Sequence, residues 1–144
     1  MDDRAGGQAS STHVDRLRGL LMHKRSLVCV VDDNDSVRES LPDLLRYVGF
    51  AVQSFASAEA FLASEALSET RCLLLDVVLP GMSGPDLQLE LTRRGVDIPI
   101  VFITAQEDRS LSPRLAGRGA AACLFKPFSD TALIEAVNAA LGAR

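Results

Sequence analysis

The sequence has no apolar run long enough to cross a lipid bilayer. A membrane-spanning helix needs about 20 consecutive, mostly apolar residues, and no stretch of the 144 residues approaches that length. The first 25 residues are rich in Asp, Arg, Gly and Ser and lack the apolar centre of a secretory signal. We therefore expect a cytoplasmic protein with no membrane partner.

An excess of positive charge is also missing. The chain carries 15 Lys and Arg against 19 Asp and Glu, which gives a formal net charge of -4. Affinity for nucleic acids rests largely on clustered Lys and Arg that neutralise phosphates. The charge balance therefore argues against a nucleic-acid partner.

Cysteine pairs of the kind that bind metals are absent as well. The three cysteines, Cys29, Cys72 and Cys123, lie far apart in apolar stretches and form no C-x-x-C motif. Free cysteine is among the most buried residue types, and disulfides are rare in a reducing cytosol. We expect all three to be small core residues.

What the sequence does contain is enough apolar material for one domain. With 47% hydrophobic and 24% charged residues, a chain of this length can bury one sizeable core and has little left for a second. We expect residues 1–25 to form a disordered tail and residues 26–144 to form the domain.

Short apolar runs alternate with amphipathic helical patterns along the domain. The predicted strands are Leu27–Val31, Ala51–Phe55, Cys72–Leu75, Ile100–Ile103 and Ala122–Phe125. Most of them are continuously apolar, which is typical of strands buried on both faces of a parallel sheet. The alternation predicts a doubly wound α/β domain with a five-stranded parallel sheet and helices on both faces.

Serines mark the predicted helix starts. In the first helix Ser36 and Glu39 form a predicted capping box, and Pro42 removes one backbone hydrogen bond. The apolar residues of this helix share one face: Val37, Leu41, Leu44, Leu45 and Val48. The later predicted helices, each with a serine as N-cap, are Ala58–Glu65 after Ser57, Pro85–Arg94 after Ser83 and Thr131–Leu141 after Ser129.

Reactive polar residues follow or end four of the predicted strands. Asp32 and Asp33 follow the first strand, Asp76 ends the third, Thr104 ends the fourth and Lys126 follows the fifth. Each alone reads as a solvated strand end or a helix cap. Together they favour one site, because ligands bind beyond the carboxyl ends of such strands. Three crowded carboxylates need a neutralising cation, and an all-oxygen ligand set suits Mg²⁺.

Four segments around these residues match the motifs of one signalling family. They are Val30-Val31-Asp32-Asp33, the stretch from Leu74 to Gly84 around Asp76, Ile103-Thr104-Ala105, and Lys126-Pro127-Phe128. Together they resemble the receiver domain of response regulators in two-component signalling, over about Leu27 to Leu141. The resemblance implies a flavodoxin-like sheet with strand order 2-1-3-4-5.

The resemblance implies that the site transfers a phosphoryl group. Asp76 would be the nucleophile that accepts it from a sensor histidine kinase or a histidine phosphotransfer protein. Lys126 and Thr104 would each contact a phosphoryl oxygen, and the Lys126-Pro127 peptide bond would be cis. The chain would then bind an unidentified downstream protein, and any enzymatic activity would be limited to its own phosphorylation and dephosphorylation.

The resemblance also implies a ligand set for Mg²⁺. Asp33 and Asp76 would bind the ion directly, together with the main-chain carbonyl of Val78, and Asp32 would hold a metal-bound water. In the loop after Asp76, Gly81 and Gly84 would permit tight backbone turns near the phosphoryl group.

The sequence departs from the family at the residues that usually carry the signal. Cys123 stands where an aromatic side chain usually moves with the threonine. Val78 and Gln106 occupy positions that influence how long the phosphoryl group survives. The segment Gln106–Gly119 contains two glycines that weaken a helix. One hypothesis is that phosphorylation is read out through this segment, and the alternative is an ordinary helix with Cys123 as a plain core residue.

We expect the protein to be a stand-alone receiver, although two other functions stay open. The segment Ser57–Leu62 is similar to receivers that precede helix-turn-helix output domains, but we expect no output domain after Leu141. The chain could instead be the receiver segment of a transcription regulator. A haloacid-dehalogenase-like phosphatase also uses an Asp nucleophile, Mg²⁺ and a Lys, but should have an Asp-x-Asp motif after the first strand, whereas Asp32 and Asp33 are adjacent.

Overall fold

The computed structural model describes residues 26–105 and 120–142. In chain order its elements are β1 (Leu27–Val31), α1 (Asp35–Tyr47), β2 (Ala51–Phe55), α2 (Ala58–Leu62), a 3-10 turn (Glu65–Ser68), β3 (Thr70–Asp76), α3 (Gly84–Arg93), β4 (Ile100–Ala105), β5 (Ala122–Lys126) and α4 (Asp130–Gly142). The predicted tail at residues 1–25 and the predicted readout segment at 106–119 lie outside these described residues.

The strands form one parallel sheet in the order β2-β1-β3-β4-β5. This order confirms the predicted doubly wound, flavodoxin-like arrangement. The register aligns Asp76 with Ile103 and Ala105 with Lys126. Because all strands run the same way, their carboxyl ends meet at one edge, where the polar residues lie.

Apolar side chains cover both faces of the sheet. Successive residues of a strand point to opposite faces, so β1 sends Cys29 and Val31 to one cluster and Val28 and Val30 to the other. The first cluster is completed by residues of α2 and α3, including Phe61, Leu87 and Leu91. The second is completed by residues of α1 and α4, including Leu41, Leu45, Leu133 and Val137. Helices therefore lie on both faces, as predicted.

Three of the four predicted helix starts are confirmed. The hydroxyl of Ser57 accepts a hydrogen bond from the N–H of Ala60 at 3.1 Å, and Ser129 accepts one from Ala132 at 3.0 Å. Ser83 caps α3 in a reciprocal capping box with Asp86. These bonds satisfy N–H groups that have no partner inside the helix.

The predicted capping box of α1 is wrong. The N-cap is Asn34, whose side-chain oxygen accepts from the N–H groups of Ser36 at 2.9 Å and Val37 at 3.3 Å. Asn is as good a cap as Ser, and the earlier cap begins the helix at Asp35. Pro42 lies inside this helix and is buried, so its ring adds to the apolar face.

Several predicted boundaries were too short or too long. The strands β3, β4 and β5 run past their predicted last residues, so Lys126 belongs to β5 rather than following it, as Asp76 and Thr104 belong to β3 and β4. These residues still pair through their main chains, which an apolar pattern does not reveal. The helix α2 ends at Leu62, and of the rest of its predicted range only Glu65 lies in the 3-10 turn, because Ala63 and Ser64 connect the two elements.

Two of the three cysteines show the predicted burial in the core. Cys29 and Cys72 are buried on opposite faces of the sheet, and burial raises the pKa of the Cys72 thiol to about 12. Neither is therefore suited to thiolate chemistry. Cys123 is half-buried against the first cluster.

Across residues 26–105 and 120–142, no helix is long and apolar enough to cross a membrane.

Candidate functional site

Four strands bring the predicted site residues to one edge of the sheet. Asp32 directly follows β1, Asp76 ends β3, and Thr104 and Lys126 lie at the ends of β4 and β5. Asp32 and Thr104 are completely buried, and Asp76 is 7% exposed. The structure therefore brings together side chains that are up to 94 residues apart in the sequence.

Three carboxylates form the acidic part of this site. Asp32, Asp33 and Asp76 each offer an oxygen, and these oxygens lie within 4.8 Å of one another. Asp32 and Asp76 are buried, whereas Asp33 is exposed to solvent. Such a set fits Mg²⁺, which prefers oxygen ligands and keeps several waters, and the exposed side leaves room for those waters. The Asp35 carboxylate pairs with Arg38 on the helix instead.

Lys126 places the ammonium group next to two of the carboxylates. Its Nζ lies 3.2 Å from Oδ2 of Asp32 and 3.6 Å from Oδ2 of Asp76. The Lys126-Pro127 peptide bond is cis, as the family resemblance implied. The lysine therefore offsets part of the negative charge that burial concentrates between these two residues.

The Asp32 carboxylate is held by a network that the sequence analysis missed. Its Oδ1 accepts from the N–H of Asn34 at 2.9 Å, and its Oδ2 accepts from Lys126. Arg38 donates from Nη1 to the main-chain oxygen of Asp32 at 2.8 Å. Asn34 could have been found, because an Asn just before an apolar helical stripe is a preferred N-cap. Arg38 gave no such signal.

The Asp76 carboxylate is less well satisfied. Its Oδ1 accepts from the N–H of Val78 at 3.2 Å. Burial raises the pKa of Asp76 to about 6, and the negative charge of Asp32 adds to that rise, while Lys126 and the Val78 N–H oppose it. A cation at the acidic cluster would therefore favour the ionised form, which is the nucleophilic one.

The loop after Asp76 packs closely against its surroundings. A Cβ on Gly84 would lie 2.3 Å from the main-chain oxygen of Asp76, so the start of α3 requires glycine there. Gly81 has φ of +73°, and a Cβ on it would lie 2.6 Å from Oε2 of Glu59. These contacts agree with the tight turns expected at both glycines.

Thr104 and Val78 complete the surroundings of Asp76. The Thr104 hydroxyl is fully buried, and within residues 26–105 and 120–142 it has no hydrogen-bond partner. Val78 is 63% exposed beside the acidic cluster. Gln106, the other residue expected to influence the phosphoryl lifetime, lies outside the described residues.

A parallel α/β sheet with buried carboxylates, a lysine and a threonine at its carboxyl edge defines a class of phosphoacceptor signalling domains. The chain belongs to the response regulator receiver domain family, whose signature it matches over residues 28–138. Receiver domains of this family are phosphorylated by histidine kinases in two-component systems and bind Mg²⁺ at an acidic pocket.

Curated relatives are response regulators that extend well beyond the matched region. Nodulation protein W of Bradyrhizobium diazoefficiens is 47% identical over 116 residues, which cover 81% of this chain and 51% of that protein. Transcriptional regulatory protein FixJ of Azorhizobium caulinodans is 44% identical over 115 residues, covering 80% of this chain and 54% of that protein. The chain thus spans about half the length of the curated relatives it matches.

Solved structures of receivers have the same fold. The crystal structure of FixJ-N superposes with a TM-score of 0.75 at 37% identity, covering 83% of this chain and 95% of that one. The structure of the response regulator StyR gives a TM-score of 0.77 at 44% identity, covering 83% of this chain and 60% of that one. The family resemblance seen in the sequence motifs is therefore confirmed.

Proposed function

We propose that Asp76 is the phosphoacceptor of this receiver. The observation that carries the proposal is the position of its carboxylate, at the end of a central strand between the acidic cluster and Lys126. A carboxylate oxygen of Asp76 forms a bond to phosphorus as the bond from phosphorus to the donor breaks. The donor is a phosphohistidine on a sensor histidine kinase or a histidine phosphotransfer protein.

Asp33, Asp76 and the main-chain carbonyl of Val78 would hold Mg²⁺, and Asp32 would hold a water bound to the ion. When bound, the ion supplies positive charge that offsets the charge of the phosphoryl oxygens. The support for this ligand set is the all-oxygen cluster within 4.8 Å. Within this cluster, hydrogen bonds from the Asn34 N–H and from Lys126 fix the orientation of the Asp32 carboxylate.

Lys126 and Thr104 would stabilise the aspartyl phosphate. The Lys126 ammonium, 3.6 Å from Asp76, is close enough to pair with an oxygen of a group attached to that carboxylate. The buried Thr104 hydroxyl lacks a partner among the described residues, so it can donate to another phosphoryl oxygen without breaking a bond seen there. Such a donation would couple the phosphorylated state to the end of β4.

The output would be a phosphorylation-dependent contact with a downstream protein in the cytoplasm, without direct binding of nucleic acid by this domain. The relatives named as transcriptional regulators extend well beyond the matched region, which favours a second candidate, the receiver segment of a transcription regulator. The mass of the native protein in a cell lysate separates this candidate from a stand-alone receiver.

Intact-mass measurement tests the phosphoacceptor proposal. After incubation with acetyl phosphate and Mg²⁺, the wild-type chain should gain the mass of one phosphoryl group, and omission of Mg²⁺ should prevent the gain. A chain that stays unmodified under conditions that phosphorylate another receiver would contradict the proposal. Turnover of a generic phosphate ester would instead indicate a phosphatase.

A further inference from the structure

The loop between β3 and α3, residues 77–83, carries the Val78 carbonyl of the proposed metal site. Its two ends are fixed by backbone bonds. The N–H of Val77 donates to the carbonyl of Ile103 at 3.0 Å, and the N–H of Gly84 donates to the carbonyl of Val77 at 3.0 Å. The stretch between these bonds is the tip of the loop, in which Val78, Pro80 and Gly81 are exposed and Leu79 is buried in the first apolar cluster.

Glu59 reaches this tip from a different element. It lies in the first turn of α2, and its Oε2 accepts a hydrogen bond from the main-chain N–H of Met82 at 2.8 Å. The bond joins residues 23 positions apart in the sequence. It therefore ties the loop to α2, which neither of the two backbone bonds at the loop ends reaches.

The backbone of the loop is shaped to receive this carboxylate. Gly81 has φ of +73°, a conformation that favours glycine, and a side chain there would collide with Glu59 because its Cβ would lie 2.6 Å from Oε2. The Met82 N–H is the main reason that the pKa of Glu59 lies below its ordinary value. The backbone conformation and the lowered pKa thus both indicate that the ionised Glu59 carboxylate accepts the hydrogen bond of the Met82 N–H.

The Val78 main chain lies between the fixed end of the loop and the Glu59 contact. Its N–H donates to Asp76 Oδ1, and its carbonyl is the proposed metal ligand. If Met82 were released, the tip would lose its one long-range side-chain bond seen among the described residues, and both groups of Val78 would be less well oriented. Partners that orient metal ligands typically affect affinity although they never touch the ion.

We propose that Glu59 is a positioning residue for the acidic site, which it serves by fixing the β3–α3 loop through the Met82 amide. This inference rests on the proposed function, because it assigns the loop a role in holding Mg²⁺. The contrary interpretation is an exposed hydrogen bond without consequence, as many surface contacts are.

The test compares Glu59→Ala with Glu59→Gln and with Glu65→Ala. Gln keeps an oxygen that can accept from Met82, and Glu65 is another exposed acid, at the start of the neighbouring 3-10 turn. Calorimetric titration should show Mg²⁺ binding about threefold to tenfold weaker in Glu59→Ala, less than the roughly 10- to 100-fold effect of buried partners. Glu59→Gln and Glu65→Ala should stay within about twofold of wild type.

Amide hydrogen exchange without Mg²⁺ gives a second readout. The Met82 amide should exchange faster in Glu59→Ala than in wild type, and Glu59→Gln should restore most of its protection. Equal Mg²⁺ affinities of Glu59→Ala and Glu65→Ala, or a Gln variant as weak as the Ala variant, would overturn the inference while wild type still binds Mg²⁺. Failure of wild type to bind Mg²⁺ at all would instead overturn the proposed function, and this inference with it.

Discussion

Asp32 and Asp76 are two carboxylates at the same sheet edge with different surroundings. Asp32 is completely buried, accepts bonds from Asn34 and Lys126, and has its main-chain oxygen held by Arg38. Asp76 accepts a single N–H at 3.2 Å, and its Oδ2 is 3.6 Å from the Lys126 Nζ. The lysine thus sits closer to the carboxylate that does not react in the proposed mechanism.

The difference teaches that satisfied and unsatisfied polar groups serve different purposes here. A carboxylate with full hydrogen bonding is fixed in place and is a good orienting group. A buried carboxylate with fewer bonds keeps an oxygen available for a new covalent bond, at a cost in the resting state that raises its pKa. Thr104 follows the second pattern, because its hydroxyl lacks a partner within the described residues.

The largest effect is expected from replacing each of the two carboxylates in turn by an amide. Asp76→Asn should abolish phosphorylation by acetyl phosphate, because an amide oxygen is a far weaker nucleophile. Asp32→Asn should slow the reaction by roughly tenfold to 100-fold, since it only orients other groups. Intact mass over time measures both. Loss of labelling in Asp32→Asn with full labelling in Asp76→Asn would reverse the assignment.

A smaller effect is expected on metal affinity. Asp33→Asn should weaken Mg²⁺ binding by roughly tenfold to 100-fold, because it removes a proposed direct ligand. Asp35→Asn removes the same charge from a residue that pairs with Arg38 on the helix, so it should change affinity by less than about threefold. Calorimetry measures both, and equal losses would mean that net charge alone attracts the ion.

The stability of the metal-free protein should depend on the Asp76 charge. Its pKa of about 6 in the folded protein exceeds the ordinary value of 3.8, so ionisation destabilises the fold. This destabilisation is fully present above about pH 6 and disappears as the pH falls towards 3.8. Asp76→Asn should therefore be more stable than wild type at pH 7.5, on the order of 1–3 kcal/mol.

Urea unfolding at several pH values without Mg²⁺ measures this difference. The gap between Asp76→Asn and wild type should narrow as the pH is lowered from 7.5 to about 4.5. Added Mg²⁺ should stabilise wild type more than the variant, since binding to the folded state alone raises stability. A gap that stays constant with pH would show that Asp76 ionises as easily in the folded protein as in the unfolded chain.

Much of this fold could be predicted because most of its strands are continuously apolar and because the less apolar Ala51–Phe55 is bounded by clear helical patterns. Leu27–Val31 and Ala51–Phe55 were predicted at their observed bounds, and the strand order followed from the family resemblance. The proximity of the candidate site residues was predictable for the related reason that they lie at or just beyond the carboxyl ends of parallel strands. The strand ends themselves were missed at β3, β4 and β5, since polar residues there pair through the main chain.

What the sequence could not supply were contacts between side chains and distant main-chain groups. Glu59 was part of the motif that resembles other receivers, yet nothing in its spacing indicated the Met82 amide. Nothing in the sequence around Arg38 indicated its hydrogen bond to the Asp32 carbonyl either. Such bonds depend on how a helix and a loop approach in three dimensions, whereas helical and strand periodicity reports only which face of an element is buried.

The smallest effect is expected at two buried threonines, of which one has its hydroxyl hydrogen-bonded and the other does not, as Asp32 has more hydrogen bonds than Asp76. The Thr70 hydroxyl donates to the carbonyl of Ala66 at 2.7 Å and lies 3.1 Å from the Cys29 sulfur, whereas the Thr104 hydroxyl has no partner in the described part of the chain. A satisfied buried hydroxyl contributes about 0.5–1.5 kcal/mol, and an unsatisfied one costs stability.

Valine keeps the branched shape of threonine and removes only the hydroxyl. Thr70→Val should therefore lower the free energy of unfolding by about 1 kcal/mol, whereas Thr104→Val should leave it unchanged or raise it by up to about 1 kcal/mol. Urea unfolding of the unphosphorylated protein measures both. If Thr104→Val lost as much stability as Thr70→Val, its hydroxyl would already be bonded in the resting state. It would then have to break that bond before it could donate to a phosphoryl oxygen, and the division between satisfied and unsatisfied groups would not extend to it.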